Sequence, residues 1–258
     1  MAPLMADSDW DWERLGQTDP YFAVLTEPQY RGQLSDADRA EFFRTGEWHV
    51  NQVLSIIRAR LHPTFAPARA LDFGCGVGRL LIPLASRCRE VTGVDVSPAM
   101  LEEARRNCDA AGVSHVRLIR NDDDELTAVE GEFDFVHSYI VLQHIPVRRG
   151  ERLVRELANR LAPNGVGVFH VLYAPPAASP FRRVLYWART HVPGAHWALN
   201  LARGRSASTP VMQSNRYSVT RLLDILSSAG CPEVYVRFTN HQEHRGVLLF
   251  ARKKPGTN

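Results

Sequence analysis

The run Ala70-Leu-Asp72-Phe leads straight into Gly74-Cys75-Gly76-Val-Gly78-Arg79. Glycines at alternate positions let the main chain pass within contact distance of a ligand, where a Cβ would collide. A helix opening just beyond such a turn offers unpaired N–H groups to an anionic group. Further on, Val91-Thr-Gly-Val94 ends in Asp95, so a second strand delivers a carboxylate beside the first. An acid in that place suits the two hydroxyls of a ribose. The chemistry this pattern supports is the binding of a nucleoside-containing cofactor. A dinucleotide fingerprint requires G-x-G-x-x-G, and its third glycine would fall on Arg79, so that pattern fails.

The elements that must hold these residues follow from the hydrophobic period. From Arg69 onward, strand and helix patterns alternate, which predicts a doubly wound, mostly parallel α/β sheet. Strands are predicted near 69–73, 90–94, 115–120, 133–138 and 166–173, and helices near 78–88, 98–111 and 146–162. A last helix, 218–229, precedes two strands near 233–239 and 246–252. Ser97-Pro98 reads as a helix start and Gly112 as its stop. Residues 10–34 read as aromatic and turn-rich. Ser35 and Asp38 begin a short helix through Phe43, and a second helix carries Val50, Val53, Leu54, Ile57 and Leu61 on one face before Pro63. Residues 174–217 interrupt the alternation. A loop through Pro180 is followed by a helix with Phe181, Val184, Leu185 and Ala188 on one face, and by a second short helix from Ala195 to Arg203. An insertion there emerges at the carboxyl ends of the strands, where open α/β sheets bind ligands, and is expected to cap the site.

The glycine turn and Asp95 resemble the class I S-adenosylmethionine-dependent methyltransferases. The likeness continues through Ser97-Pro-Ala-Met100-Leu-Glu-Glu-Ala104, Asn121-Asp122-Asp123, and Phe133-Asp-Phe-Val-His-Ser138-Tyr139-Ile-Val-Leu-Gln143-His144-Ile-Pro146. It covers residues 68–173 and specifies a family, not a substrate. The resemblance implies a Rossmann-like seven-stranded fold, with residues 1–67 forming a helical segment over the cofactor and 68–258 the S-adenosyl-L-methionine-binding domain. It also implies that Gly74, Cys75, Gly76 and Gly78 wrap the methionine part and that Asp72 takes the amino group. Asp95 takes the ribose, Met100 packs near the adenosine, Asp122 or Asp123 receives the adenine amino group, and Ser138 contacts the cofactor at the fourth strand.

Methyl transfer to a hydroxyl or amine needs a proton acceptor near the fourth and fifth strands. His144 is the first candidate; His241 and His244, in the turn between the last two strands, are the second. The H-x-x-H spacing of that pair lacks a third ligand, so no metal is expected. His170, within a strand, reads as a core histidine. Tyr139, Gln143 and Tyr173 are candidates for the acceptor pocket.

Composition narrows the partners. The net charge of +3 over 258 residues is too small to argue for nucleic acid, and no N-P-P-Y or D-P-P-Y motif follows the fourth strand. No apolar run approaches the roughly 18 residues of a membrane span. The acidic N-terminus lacks the pattern of a signal peptide, and Cys75, Cys88, Cys108 and Cys231 read as reduced core thiols, so a cytoplasmic protein is expected. No acid occurs between Glu156 and Asp224, an interval holding Arg160, Arg182, Arg183, Arg189, Arg203, Arg205, Arg216 and Arg221. The expected function is methylation of a small metabolite or sugar. The alternatives are action on a lipid at a membrane surface, suggested by the Arg-rich insertion with Trp187 and Trp197, and binding of the cofactor without turnover. Monomer and homodimer remain open.

Overall fold

The computed structural model describes residues 7–174, 180–241 and 244–256, and the side chains of all of these except 180–183 and 241. The loop expected at 175–179 and the side chains of Phe181, Arg182 and Arg183 therefore lie outside the described residues. The strands are β1 (Arg69–Phe73), β2 (Glu90–Asp95), β3 (Val116–Arg120), β4 (Phe133–Ser138), β5 (Leu161–Ala174), β6 (Glu233–His241) and β7 (His244–Arg252). They form one seven-stranded sheet in the order β3-β2-β1-β4-β5-β7-β6. All neighbours are parallel except β7, which runs antiparallel to both β5 and β6. The doubly wound architecture expected from the sequence is what forms. Its strand order reverses between β1 and β4, which opens a crevice at their carboxyl ends.

The helices are α1 (Ser8–Thr18), α2 (Pro20–Val24), α3 (Asp36–Arg60), α4 (Leu81–Ala85), α5 (Pro98–Ala110), α6 (Val147–Asn159), α7 (Pro180–His191), α8 (Ala195–Ala202) and α9 (Val219–Ser228). Val53 and Ile57 of α3, Leu81 and Leu84 of α4 and Cys108 of α5 cover one face of the sheet. Leu153 and Leu157 of α6 with Leu222 and Ile225 of α9 cover the other. Ala70, Leu71, Asp72 and Phe73 of β1 are all buried, as a central parallel strand covered on both faces requires. Among the described residues, no helix is long and apolar enough to cross a membrane.

Three elements differ from the sequence expectation. Residues 10–34 are helical rather than turn-rich, because Asp7 caps α1 by accepting from the amides of Asp9 (2.9 Å) and Trp10 (3.3 Å). The two helices expected before Pro63 are one 25-residue helix, α3, started by Ser35 as foreseen. Gly46 carries it past the glycine turn, since a Cβ there would overlap the carbonyl oxygen of Arg79. The helix expected at 78–88 is only α4, because Gly76 (φ +52°) and Gly78 (φ +88°) keep the chain in a turn up to Leu81.

Beyond α7 and α8 the chain returns through residues 211–217 and ties three regions together. The Val211 amide donates to Asp11 of α1 (2.9 Å). The Asn215 amide donates to the Gln143 carbonyl (2.6 Å), and the Tyr217 hydroxyl reaches the Leu142 (2.8 Å) and Ile145 (2.9 Å) carbonyls. His144 completes the clasp. Its Nδ1 lies 2.6 Å from the Gln213 carbonyl oxygen, which can only accept, so Nδ1 carries the proton and donates. Nε2 then accepts from the Gln143 side-chain amide at 3.2 Å. Burial pushes the His144 pKa down to about 4, against the opposing pull of the Gln213 bond.

Stability should therefore depend on pH through this group. With the folded pKa depressed below 6.5, the neutral imidazole stabilises the fold above that pH, and the contribution is lost as pH falls towards 4. Chemical denaturation of the wild type should show about 3 kcal/mol more loss between pH 7 and pH 4 than His144→Gln, which keeps a donor but does not titrate. Parallel profiles for the two proteins would contradict this.

Candidate functional site

The carboxyl ends of β1, β2 and β4 open into a pocket of about 950 Å³, counted to its open mouth. Its floor is the glycine turn. Gly74 takes φ +74°, and its amide and that of Cys75 both donate to the Val94 carbonyl (2.7 and 3.0 Å). The Gly76 amide donates to Asp95 Oδ2 (2.9 Å), and the Gly78 amide to the Cys75 carbonyl (3.0 Å). These four amides are therefore engaged within the protein, so the N–H groups expected to face an anion are those at the start of α4, where Arg79 and Leu80 line the pocket. Gly78 does not line the pocket; it packs close to Ala104 of α5. Cys75 lines it as a neutral thiol, because burial raises its pKa well above the usual range.

Asp95, at the end of β2, faces this turn. Its second oxygen, Oδ1, accepts from the Ser97 amide at 3.0 Å. Burial raises its pKa to about 6, with the Ser97 and Gly76 amides opposing the shift and the nearby Asp72 charge adding to it. Asp72, at the end of β1, is buried, and its Oδ1 lies 3.2 Å from His137 Nδ1. His137 Nε2 is in turn 3.1 Å from His49 Nε2. Met100 lines the pocket and is buried, with α1 close above it.

The acidic run divides between pocket and surface. Asp122 points outward and pairs with Arg120 at 3.0 Å. Asp123 lines the pocket, but its carboxylate accepts from the Thr127 hydroxyl and from the amides of Glu125 (2.9 Å) and Thr127 (3.2 Å), and the Thr127 hydroxyl is the main cause of its lowered pKa. Asn121 is the neighbour that sequence reasoning missed. Its amide group donates to the Asp123 carbonyl (2.6 Å), while Oδ1 is buried without a partner among the described residues. That orphaned acceptor in the wall fits an amino-group donor such as adenine carries, and the Asp95 carboxylate fits a ribose.

After β4, Tyr139, Ile140 and Val141 enter the pocket. Tyr139 stacks on His49 with ring centres 3.8 Å apart, and burial raises its pKa. Ile140 adopts φ +61°, a strained conformation for a β-branched residue, and so turns the chain sharply at the pocket wall. The other expected residues lie elsewhere. Ser138 is fully buried behind the wall. Gln143 and His144 belong to the clasp described above, with Trp12 of α1 set edge-on against His144 at 5.0 Å between ring centres. Tyr173 packs against Phe238 (5.4 Å) outside the pocket, and His244 is exposed at the start of β7. The side chain of His241 lies outside the described residues. His170 is a buried strand residue 3.1 Å from the Thr239 hydroxyl. Among the described residues no group of three His, Cys, Asp or Glu could hold a metal ion.

The roof comes from the N-terminal helices. Ser8, Asp9 and Trp12 of α1 and Ala23 and Val24 of α2 line the pocket. Glu13 fastens α1 to the start of α5, accepting from the Ser97 hydroxyl (2.7 Å) and the Ala99 amide (3.2 Å). Arg149 of α6 lines the pocket between two acids, at 3.0 Å from Asp9 and 2.8 Å from Asp124. Nothing in the local sequence of α6 marked that arginine.

Comparisons with known proteins agree with this fold. Residues 70–165 match the family model of a methyltransferase domain. The chain is 33% identical over 125 residues to a ubiquinone biosynthesis O-methyltransferase of Xanthomonas axonopodis pv. citri, covering 48% of this chain and 51% of that protein. It is 28% identical over 224 residues to a trans-aconitate 2-methyltransferase of Methylobacterium nodulans, covering 85% of this chain and 79% of that one. The chain thus spans about half the length of the ubiquinone-pathway relatives it matches. In fold it is similar to a magnesium protoporphyrin IX methyltransferase of Synechocystis PCC 6803 with bound S-adenosylhomocysteine (TM-score 0.62, 17% identity, 96% of this chain and 100% of that one). It is also similar in fold to the N-methyltransferase NodS of Bradyrhizobium japonicum (TM-score 0.58, 18% identity, 96% and 99%). With a glycine-floored pocket at the sheet's switch point and an acid beside it, residues 70–165 match a methyltransferase-domain family, and the chain has the fold of the methyltransferases it resembles.

Proposed function

We propose that the protein methylates a small organic acid on oxygen. The observation that carries this reading is the chemistry of the pocket wall. Among the described lining residues there is no histidine, and each carboxylate is already engaged: Asp9 by Arg149, Asp72 by His137, Asp95 by two amides and Asp123 by Thr127. Tyr139 holds its proton, because burial raises its pKa. A site without a free base suits an acceptor that arrives already ionised, as a carboxylate does at neutral pH. A relative covering most of the chain is named for action on trans-aconitate, an anionic acceptor. His144, with both ring nitrogens bonded and its pKa near 4, is read as a clasp rather than a base.

When bound, S-adenosylmethionine supplies a methyl group on a sulfonium, open to in-line displacement. The protein's part is to hold the two reactants and exclude water. Asp95 takes the ribose hydroxyls, Asp72 the amino group and Asn121 Oδ1 the adenine amino group, while Met100 packs against the adenosine. α1 and α2 cover the cofactor, with Trp12 and Val24 closing the roof. No described residue of 184–217 lines the pocket, so the insertion expected to cap the site meets it only indirectly, through the bonds of 211–217 to α1 and to the chain after β4.

The reaction is tested with methyl-labelled S-adenosylmethionine and a panel of trans-aconitate, a catechol and a primary amine. Label should appear in the acid as an alkali-labile methyl ester; labelling confined to the catechol or the amine would overturn the reading. The ribose assignment has its own pH signature. Hydroxyls bind the ionised Asp95, whose pKa is about 6, so affinity for S-adenosylhomocysteine should rise as pH increases from 5 to 7. Asp95→Asn should bind about 10–100-fold more weakly and show a flatter profile. A wild-type affinity independent of pH would remove Asp95 from this role.

A further inference from the structure

Arg79 directly follows the third glycine of the turn, lines the pocket, and is only 5% exposed. Its guanidinium makes one hydrogen bond, from Nη1 to the Thr45 hydroxyl at 3.3 Å, and its Nε is buried without a partner. Among the described residues it has no ion-pair partner, in contrast to the other pocket arginine, Arg149, which has two. Burial lowers its pKa, with the Tyr139, Asp72 and Tyr30 side chains opposing that shift. A guanidinium nevertheless stays charged in proteins, and an uncompensated buried charge is costly. Such a group is best accounted for by a ligand that brings the missing anion.

Two ligands could bring a carboxylate: the cofactor, through its methionine part, or an acidic acceptor. Position favours the cofactor. Arg79 belongs to the same turn as Gly74 and Gly76, and it senses the charge of Asp72 at the end of β1. The two side chains therefore offer one negative and one positive group at one end of the pocket, matching the ammonium and carboxylate of an amino acid. The amides of Gly74, Cys75, Gly76 and Gly78 are already bonded within the protein, so main-chain donors to the same carboxylate are confined to the start of α4, beside Arg79 itself. We propose that Arg79 binds the α-carboxylate of the cofactor's methionine part and so selects ligands that carry an intact amino-acid end. This rests on the reading of the pocket as a site for S-adenosylmethionine.

Calorimetric titration of the wild type, Arg79→Met and Arg79→Lys with S-adenosylhomocysteine and 5′-methylthioadenosine tests it. The second ligand keeps the nucleoside and sulfur but lacks the amino-acid end. Arg79→Met should weaken S-adenosylhomocysteine about 10–100-fold and leave 5′-methylthioadenosine within about twofold. Arg79→Lys, which keeps the charge without the fork, should fall between the two. Because the arginine has no counter-ion, its removal should not lower the thermal midpoint of the ligand-free protein. Unchanged S-adenosylhomocysteine affinity in Arg79→Met would overturn the proposal, as would equal losses for both ligands. A raised KM for an acidic acceptor with unchanged S-adenosylhomocysteine affinity would also overturn it and assign the arginine to the acceptor. Failure of the wild type to bind either ligand would instead overturn the cofactor reading and this proposal with it.

Discussion

Both oxygens of Asp95 are held by main-chain donors, Oδ2 by the Gly76 amide and Oδ1 by the Ser97 amide, and the pocket is assembled outward from that pair of bonds. One carboxylate thus fixes the end of β2, the glycine turn after β1 and the approach to α5. Burying it raises its pKa, and the two amides offset part of the desolvation. From Ser97 the connection continues through Glu13 to α1, from α1 through Asp11 to Val211, and from the returning chain through His144 and Tyr217 to the exit of β4. The ends of β2 and β4 are therefore joined twice, once through the sheet and once over the pocket.

That second path explains how a pocket open at the sheet edge acquires a roof. The roof is only partly apolar: Leu15, Tyr21 and Ala23 pack in one cluster with Phe42 and Met100. α1 buries Ser8, Asp11, Leu15 and Gly16, and Gly16 permits its approach to Ser97 and Met100, where a Cβ would stand 2.7 Å from the Ser97 hydroxyl. Polar contacts, among them the Asp9–Arg149–Asp124 network, do much of the holding. Such contacts each contribute modestly, so α1 can part from the sheet at lower cost than a core helix. A cofactor site needs both behaviours: a roof that excludes water during reaction and one that opens for exchange.

The centre of the sheet was legible in the sequence because β1 and β4 are buried on both faces. The apolar runs at 69–73 and 133–138 coincide with β1 and β4, and the glycine turn with Asp95 located the pocket floor. The roof was not legible. Its face on α1 mixes polar and aromatic residues, and its partners at Ser97, Arg149 and Val211 are distant in sequence. His144 stood where a base was sought, but its proton is committed to Gln213, a contact sixty-nine residues away that no local pattern announces. Arg79 was visible only as a missing glycine. Its meaning emerges from the lack of a counter-ion around a buried charge, which is a property of the folded chain.

The central claim is that the pocket between β1, β2 and β4 takes an S-adenosyl nucleoside. Calorimetric titration of the purified protein with S-adenosylhomocysteine, beside NADH, addresses it most directly. Micromolar, one-to-one binding of S-adenosylhomocysteine with none of NADH is the expected result. Binding of NADH, or the absence of any S-adenosylhomocysteine binding at neutral pH, would contradict it.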